Sequence, residues 1–348
     1  MRAWILHENG DIRYDDTDIP DIKDDEVLVK VKAAGICGSD IPRIYRGGAY
    51  FYPLIPGHEF SGQVEKCGFS AENRWKGKRV GIFPLIPCGE CGPCKKKLFE
   101  MCRKYSYLGS RRNGGFAEYA AVPEKNLIEL PDNVSFEEAA MLEPMAVAVH
   151  SIRRTVISKD DMVTVYGLGT IGVFILMFLL EMGIKKILVI GNKDFQKKTV
   201  LDMGISEENF CDTRNTDPEK WLFEKTSGNG SDIFFECIGK NETINHAVNN
   251  TAPGGSIVFV GNPYSDISMD KQVYWKILRN QLRVTGTWNS SFTGDMDDDW
   301  HYVINKLFEK KIAPSKFISH RFDMESFEEG LIIMRDKSED YLKIIMNA

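Results

Sequence analysis

In the segment EVLVKVKAAG (26–35), Val27, Val29 and Val31 alternate with Leu28, Lys30 and Lys32. A period of two predicts a half-buried strand. Glycine and proline then recur through residue 93, the texture of loop-rich β structure. The pattern changes near residue 150. DMVTVYGLGTIGVFILMFLLEMG (161–183) reads as a short buried strand, a glycine turn and an apolar helix. KKILVI (185–190), DIFFECIG (232–239), GSIVFVG (255–261) and QLRVTGTW (281–288) read as further strands, with helix-like segments between several of them. Strand–helix alternation predicts a doubly wound parallel sheet. The chain is therefore expected to be α/β, with a β-rich first part and a parallel-sheet second part. The mixed tail after about residue 290 is expected to return to the first.

The longest apolar run, VFILMFLL (173–180), is far short of the roughly 20 residues of a spanning helix and is expected to pack on the sheet. Charged residues make up 27% and the net charge is −6, which gives no basic footprint for nucleic acid. The first residues, MRAWILHENG, lack the apolar core of a signal peptide, so a cytoplasmic location with reduced thiols is expected. Disulfides are then not expected among the eight cysteines.

Gly167, Gly169 and Gly172 form G-x-G-x-x-G between a strand and a helix. In that setting the pattern predicts a dinucleotide site. Gly167 permits the tight turn, Gly169 admits a pyrophosphate to the backbone, and Gly172 lets helix and strand approach. Thr170 and Ile171 complete the turn at the helix N-terminus, which favours phosphate charge.

Cys88, Cys91, Cys94 and Cys102 are spaced C-x2-C-x2-C-x7-C. Four thiolates so arranged can close around one tetrahedral Zn²⁺ and leave no position for substrate, which predicts a structural site. A catalytic zinc needs an open position and three mixed protein ligands. GICGSD (35–40) offers Cys37, PGHEFSG (56–62) offers His58 and Glu59, and LEPMAVAVH (142–150) offers Glu143. Spacing does not join Glu143 to the others.

The whole chain resembles the zinc-dependent medium-chain dehydrogenases, through GHE, the glycine turn and the spacing of the four cysteines. Within that family CGSDIPRIYRGGAYFYP (37–53), GHEFSG (57–62) and GSRRNGGFAEY (109–119) resemble the polyol-phosphate dehydrogenases first and the sorbitol dehydrogenases next. The resemblance implies a GroES-like β-rich catalytic domain, residues 1–146 and 290–348, and a Rossmann dinucleotide-binding domain, residues 147–289. It implies two zinc ions per chain: a structural one on Cys88, Cys91, Cys94 and Cys102, and a catalytic one on Cys37, His58 and a glutamate. Both Glu59 and Glu143 lie near that metal in polyol dehydrogenases, with Glu143 ranked first here. A glutamate where alcohol dehydrogenases usually carry a cysteine points to polyols.

The implied reaction is reversible oxidation of a secondary alcohol to a ketone, with zinc as Lewis acid and a nicotinamide as hydride carrier. Ser39 is the expected first proton relay, and Glu59 a base or supporting group. The expected substrate is a phosphorylated hexitol or ketose, such as galactitol 1-phosphate and tagatose 6-phosphate, with Arg43, Arg46, Arg111 and Arg112 as candidate phosphate contacts. A free polyol such as sorbitol or xylitol is the alternative, and a zinc-containing binding protein without catalysis is the rival class. A homodimer or homotetramer is expected. NADP is expected over NAD. KKILVI is followed by Gly191, Asn192 and Lys193, where NAD-binding folds place a carboxylate. Asp194 is read as a helix N-cap rather than a ribose ligand.

Overall fold

The computed structural model describes all residues, Met1–Ala348. Its backbone packs as two compact units, Met1–Ala146 with Ser290–Ala348, and Val147–Asn289.

The first unit is built on a seven-stranded sheet. Its path runs Ile318–Asp323, Lys343–Asn347, Glu26–Gly35, Glu59–Cys67, Arg79–Ile82 and Leu127–Glu129, with Tyr119–Pro123 also paired to Glu26–Gly35. The strand predicted over 26–35 forms, but it is not half-buried. Only Lys30 is exposed, and Leu28, Ala33 and Ala34 are buried with the valines. The reason is its place in the sheet, where three strands pair along its edges while the apolar core and the helix Phe136–Ala140 pack on its faces. Trp4, Phe60, Phe116 and Phe327 fill the core beside it.

The second unit holds six parallel strands in the order Phe210–Asp212, Ile187–Gly191, Val163–Tyr166, Ser231–Glu236, Thr251–Phe259 and Arg283–Gly286. Numbered along the chain this is 3-2-1-4-5-6, so the strand order reverses beside Val163–Tyr166. The helix Thr170–Glu181 is buried from Gly172 to Leu179, which is why its sequence is apolar on all sides. No helix is long and apolar enough to cross a membrane.

Candidate functional site

Cys37, Ser39 and Asp40 lie on the turn between the strand Glu26–Gly35 and the helix Asp40–Tyr45. The Asp40 carboxylate closes that turn by accepting the Cys37 N–H at 3.0 Å, and Ser39 Oγ donates to Cys37 Sγ at 3.3 Å. Antiparallel pairing puts Glu59 opposite Gly35, so His58 and Glu59 arrive beside Cys37. The ligand atoms of Cys37, His58 and Glu59 all lie within 4.8 Å of one another. Glu143, the first-ranked glutamate of the sequence reading, lies outside that group. It is buried on the helix Leu142–Ile152, and its Oε1 accepts the Tyr107 hydroxyl at 3.2 Å.

Three supporting residues escape the sequence reading. Asp40 is fully buried, 3.3 Å from His58 Nδ1, and accepts Arg43 Nη1 at 2.8 Å. Tyr107 sets its ring against His58, with centroids 5.6 Å apart. Lys343 is 1% exposed and donates to Glu59 Oε2 and to the Ile36 carbonyl. A cue for Lys343 exists in YLKIIMN (341–347), a cation inside an apolar strand. Gly35 makes room for the pair. A Cβ there would stand 2.6 Å from Glu59 Oε2 and 2.6 Å from Lys343 Cε.

The electrostatics follow from burial and close charges. Burial works to lower the pKa of His58, but the Asp40 carboxylate and the Cys37 thiolate raise it to about 10. Burial works to raise that of Cys37, and His58 brings it below its ordinary value. Burial pushes Glu143 up, against the pull of His58 and the Tyr107 hydroxyl. Burial also brings Lys343 down to about 8, with Cys37 and Asp40 opposing. In the protonation state that zinc binding would require, with Cys37 as thiolate and His58 neutral, four anions (Cys37, Asp40, Glu59, Glu143) would face two cations (Arg43, Lys343). The deficit is the charge of one divalent cation. His58 Nδ1 faces Asp40, which leaves Nε2 as the ligating nitrogen. This donor set fits zinc.

Cys88, Cys91, Cys94 and Cys102 converge as free thiols. Their Sγ atoms are separated by 3.9 Å (Cys88–Cys94), 3.4 Å (Cys91–Cys94) and 4.0 Å (Cys91–Cys102). A zinc tetrahedron with bonds of about 2.3 Å has sulfur–sulfur edges of about 3.8 Å. Backbone N–H groups serve the sulfurs, as the Cys88 N–H does for Cys102 Sγ at 3.2 Å. Backbone hydrogen bonds from Arg103 and Cys94 lower the Cys91 thiol to about 6. The cluster fits a closed zinc site.

In the second unit a hollow of about 500 Å³ is lined by Gly167, Gly169, Gly191, Asn192, Gln196, Thr213 and neighbours. Gly167 has φ +104°, and a Cβ on Gly172 would lie 1.9 Å from the Gly167 carbonyl oxygen, so turn and helix are in backbone contact. Gly169 caps the helix that Thr170 and Ile171 open. Glu236 ends the fourth strand fully buried. It accepts the N–H groups of Ile238 and Gly239 and the Thr243 hydroxyl, which holds the loop across the hollow. The N-cap of the helix Asp194–Asp202 is Lys193, not Asp194 as expected. Asp194 is the first helical residue, paired with Arg214, and Lys193 Nζ lies 5.3 Å from the Phe195 ring centroid.

The candidate substrate arginines separate. Arg43 lines a hollow of about 420 Å³ with Pro42, Gly47, Gly48, Ala49 and Tyr50. Arg111 stacks on Tyr50 and Tyr105 and donates to the Tyr50 hydroxyl at 3.3 Å. Arg112 is committed elsewhere, donating to the buried Glu26 at 2.7 Å. Arg46 ends the helix Asp40–Tyr45.

Comparison with known proteins agrees with this geometry. Residues 23–132 match the alcohol dehydrogenase GroES-like domain, and residues 170–309 match the zinc-binding dehydrogenase family. Galactitol 1-phosphate 5-dehydrogenase of Escherichia coli K12 is 31% identical over 333 residues, 95% of each chain. The chain belongs to the zinc-dependent medium-chain dehydrogenases. Sorbitol dehydrogenase of Bacillus subtilis, strain 168, is 30% identical over 268 residues, 76% of this chain and 75% of that one. The crystal structure of galactitol-1-phosphate dehydrogenase from Escherichia coli superposes with a TM-score of 0.92 at 30% identity, over 100% of both chains. The chain is thus an oxidoreductase of the alcohol and polyol dehydrogenase family, with the GroES-like and Rossmann folds of its members.

Proposed function

We propose that this dehydrogenase interconverts a phosphorylated hexitol and its ketose, galactitol 1-phosphate and tagatose 6-phosphate, with two zinc ions per chain and NADP(H). The observation that carries the substrate reading is Arg43 in the wall of the Pro42–Tyr50 hollow, with Arg111 held against Tyr50 of the same wall. Arg43 spends Nη1 on Asp40 and keeps its other guanidinium donors, while Arg111 is held by the Tyr50 and Tyr105 rings and by hydrogen bonds to the Tyr105 carbonyl and the Tyr50 hydroxyl. A guanidinium held in place meets a phosphate with little further ordering.

A catalytic zinc would be held by Cys37, His58 and Glu143, and a structural zinc by Cys88, Cys91, Cys94 and Cys102. Two holds of unequal strength favour Glu143 over Glu59, although Glu59 is nearer to Cys37 and His58. Breaking a buried ion pair such as Glu59–Lys343 costs about 3–5 kcal/mol. The single hydrogen bond from the Tyr107 hydroxyl to the Glu143 carboxylate is worth about 1.5–3 kcal/mol. Glu143 is therefore the carboxylate that would ligate the zinc, while Lys343 holds Glu59 in its ion pair. When bound, the zinc polarises the substrate hydroxyl and the nicotinamide takes the hydride. Asp40 orients the His58 ring and balances its charge. Ser39, with its hydroxyl on Cys37 Sγ, takes the hydroxyl proton toward solvent. The edge strand Arg283–Gly286 is paired on one side only, with Val284 exposed, which supports pairing with a second copy as a homodimer.

The test compares kcat/KM for galactitol 1-phosphate and free galactitol. One charge-assisted phosphate contact is worth about 1.5–3 kcal/mol, or about 10- to 150-fold. Arg111→Ala should remove most of that preference and leave free galactitol unaffected. Equal values in the unaltered enzyme would refute the phosphate reading and leave a sorbitol- or xylitol-type substrate.

A further inference from the structure

A second hollow, of about 550 Å³, lies wholly within the first unit and is of the size that small-molecule sites have. None of Cys37, His58, Glu59 and Glu143 lines it. Four of its walls are the rings of Trp75, Phe83, Phe99 and Phe292, and those of Phe83 and Phe292 pack with centroids 4.9 Å apart. The cysteine loop brings Phe99 and the segment after residue 290 brings Phe292. Lys97 ties the two together through Asp295, at 3.1 Å. We infer that this hollow is a further binding site, and that it takes a neutral planar heterocycle with an N–H donor, of the indole type.

The polar groups of the hollow select that class. Asn126 lines it and is 1% exposed. Its Nδ2 donates to the Phe83 and Leu85 carbonyls at 2.7 and 2.8 Å, which fixes the amide, and its Oδ1 is buried with no protein donor. His301 also lines the hollow, its ring stacked on Phe292 at 5.8 Å and 5°. Asp298 accepts the backbone N–H groups of Thr293, Gly294 and His301, and its Oδ1 lies 2.9 Å from His301 Nδ1. A carboxylate only accepts, so Nδ1 carries the proton and the neutral ring presents Nε2 as an acceptor. No protein group takes Nε2. Two acceptors without donors call for a guest that donates, and the aromatic walls call for a flat one. The charges around the hollow balance. Arg74 pairs with Glu72, Glu129 pairs with Lys78 at 2.6 Å, and Glu124 adjoins Lys125. A neutral guest therefore suits it better than an ion.

The experiment uses the full-length enzyme with nicotinamide cofactor in excess, so that the nucleotide hollow is filled. Indole and 1-methylindole, of which only the first has an N–H donor, are titrated by saturation-transfer NMR. Indole should bind at least about five-fold more tightly than 1-methylindole. His301→Phe keeps a ring against Phe292 and removes the acceptor. It should weaken indole to within about two-fold of 1-methylindole and leave 1-methylindole unchanged. Phe292→Ala takes away a wall and should weaken both probes at least about five-fold, which locates the site even if His301→Phe folds poorly. Equal affinities of the unaltered enzyme for the two probes, or no binding of either, would overturn the proposal. An unchanged preference in His301→Phe, or unchanged binding in Phe292→Ala, would overturn it as well.

Discussion

Lys343→Met tests the buried pair on which the placing of Glu59 depends. Lys343 and Glu59 are 1% and 2% exposed at their side chains, and their sequence separation is 284 residues. Taking away the cation leaves a carboxylate in a site from which water is excluded. The cost of stranding one member of such a pair is about 3–5 kcal/mol. For a folded unit of this size a change of that order lowers Tm by about 6–20 °C. Methionine fills much of the lysine volume, so the loss reports charge rather than a cavity. Adding Glu59→Gln removes the stranded charge and should restore half or more of the lost Tm. The assay is a thermal scan of the wild type, the single variant and the double variant, with zinc content measured on each sample. A Lys343→Met protein that melts within about 2 °C of the wild type, with no gain on adding Glu59→Gln, would refute the argument.

Further outcomes follow from the two metal sites and the sheet edge. Cys88→Ser should lose one zinc and lower Tm, whereas Cys37→Ser should keep the fold, lose the other zinc and lose turnover; metal analysis with unfolding separates them. His58 binds a proton in the metal-free site up to about pH 10, above its ordinary value of 6.5, so that its contribution to metal-free stability is fully present below about pH 6.5 and lost as pH rises through about 10. Zinc must displace that proton. Uptake at the Cys37 site should therefore still release most of a proton at about pH 9, read with an indicator dye, and apparent affinity should rise with pH up to about 10; release that has already ended there would contradict the His58–Asp40 pairing. Val284→Lys on the edge strand should shift the enzyme toward monomer in light scattering, and an unchanged mass would place the subunit contact elsewhere.

The elements legible in the sequence are those set by local pattern. The glycine turn, the apolar helix 170–181 and the strands around 187, 233, 257 and 284 each follow from periodicity or from a conformation that glycine alone accepts. The cysteine cluster was legible for the same reason, since a short loop with fixed spacing can close only on itself. Burial depended on neighbours. The strand Glu26–Gly35 has an alternating sequence that reads as half-buried, yet the core and the helix Phe136–Ala140 cover both of its faces. The supporting residues of the sites were decided by tertiary structure alone. Asp40 becomes a partner of His58 only when strand pairing sets Glu59 opposite Gly35. Lys343 reaches Glu59 only because the last strand lies against Glu26–Gly35. Arg214 meets Asp194 only where two parallel strands end side by side. Such contacts join residues distant in sequence, and their strength depends on how far the fold removes them from water, which no local pattern records.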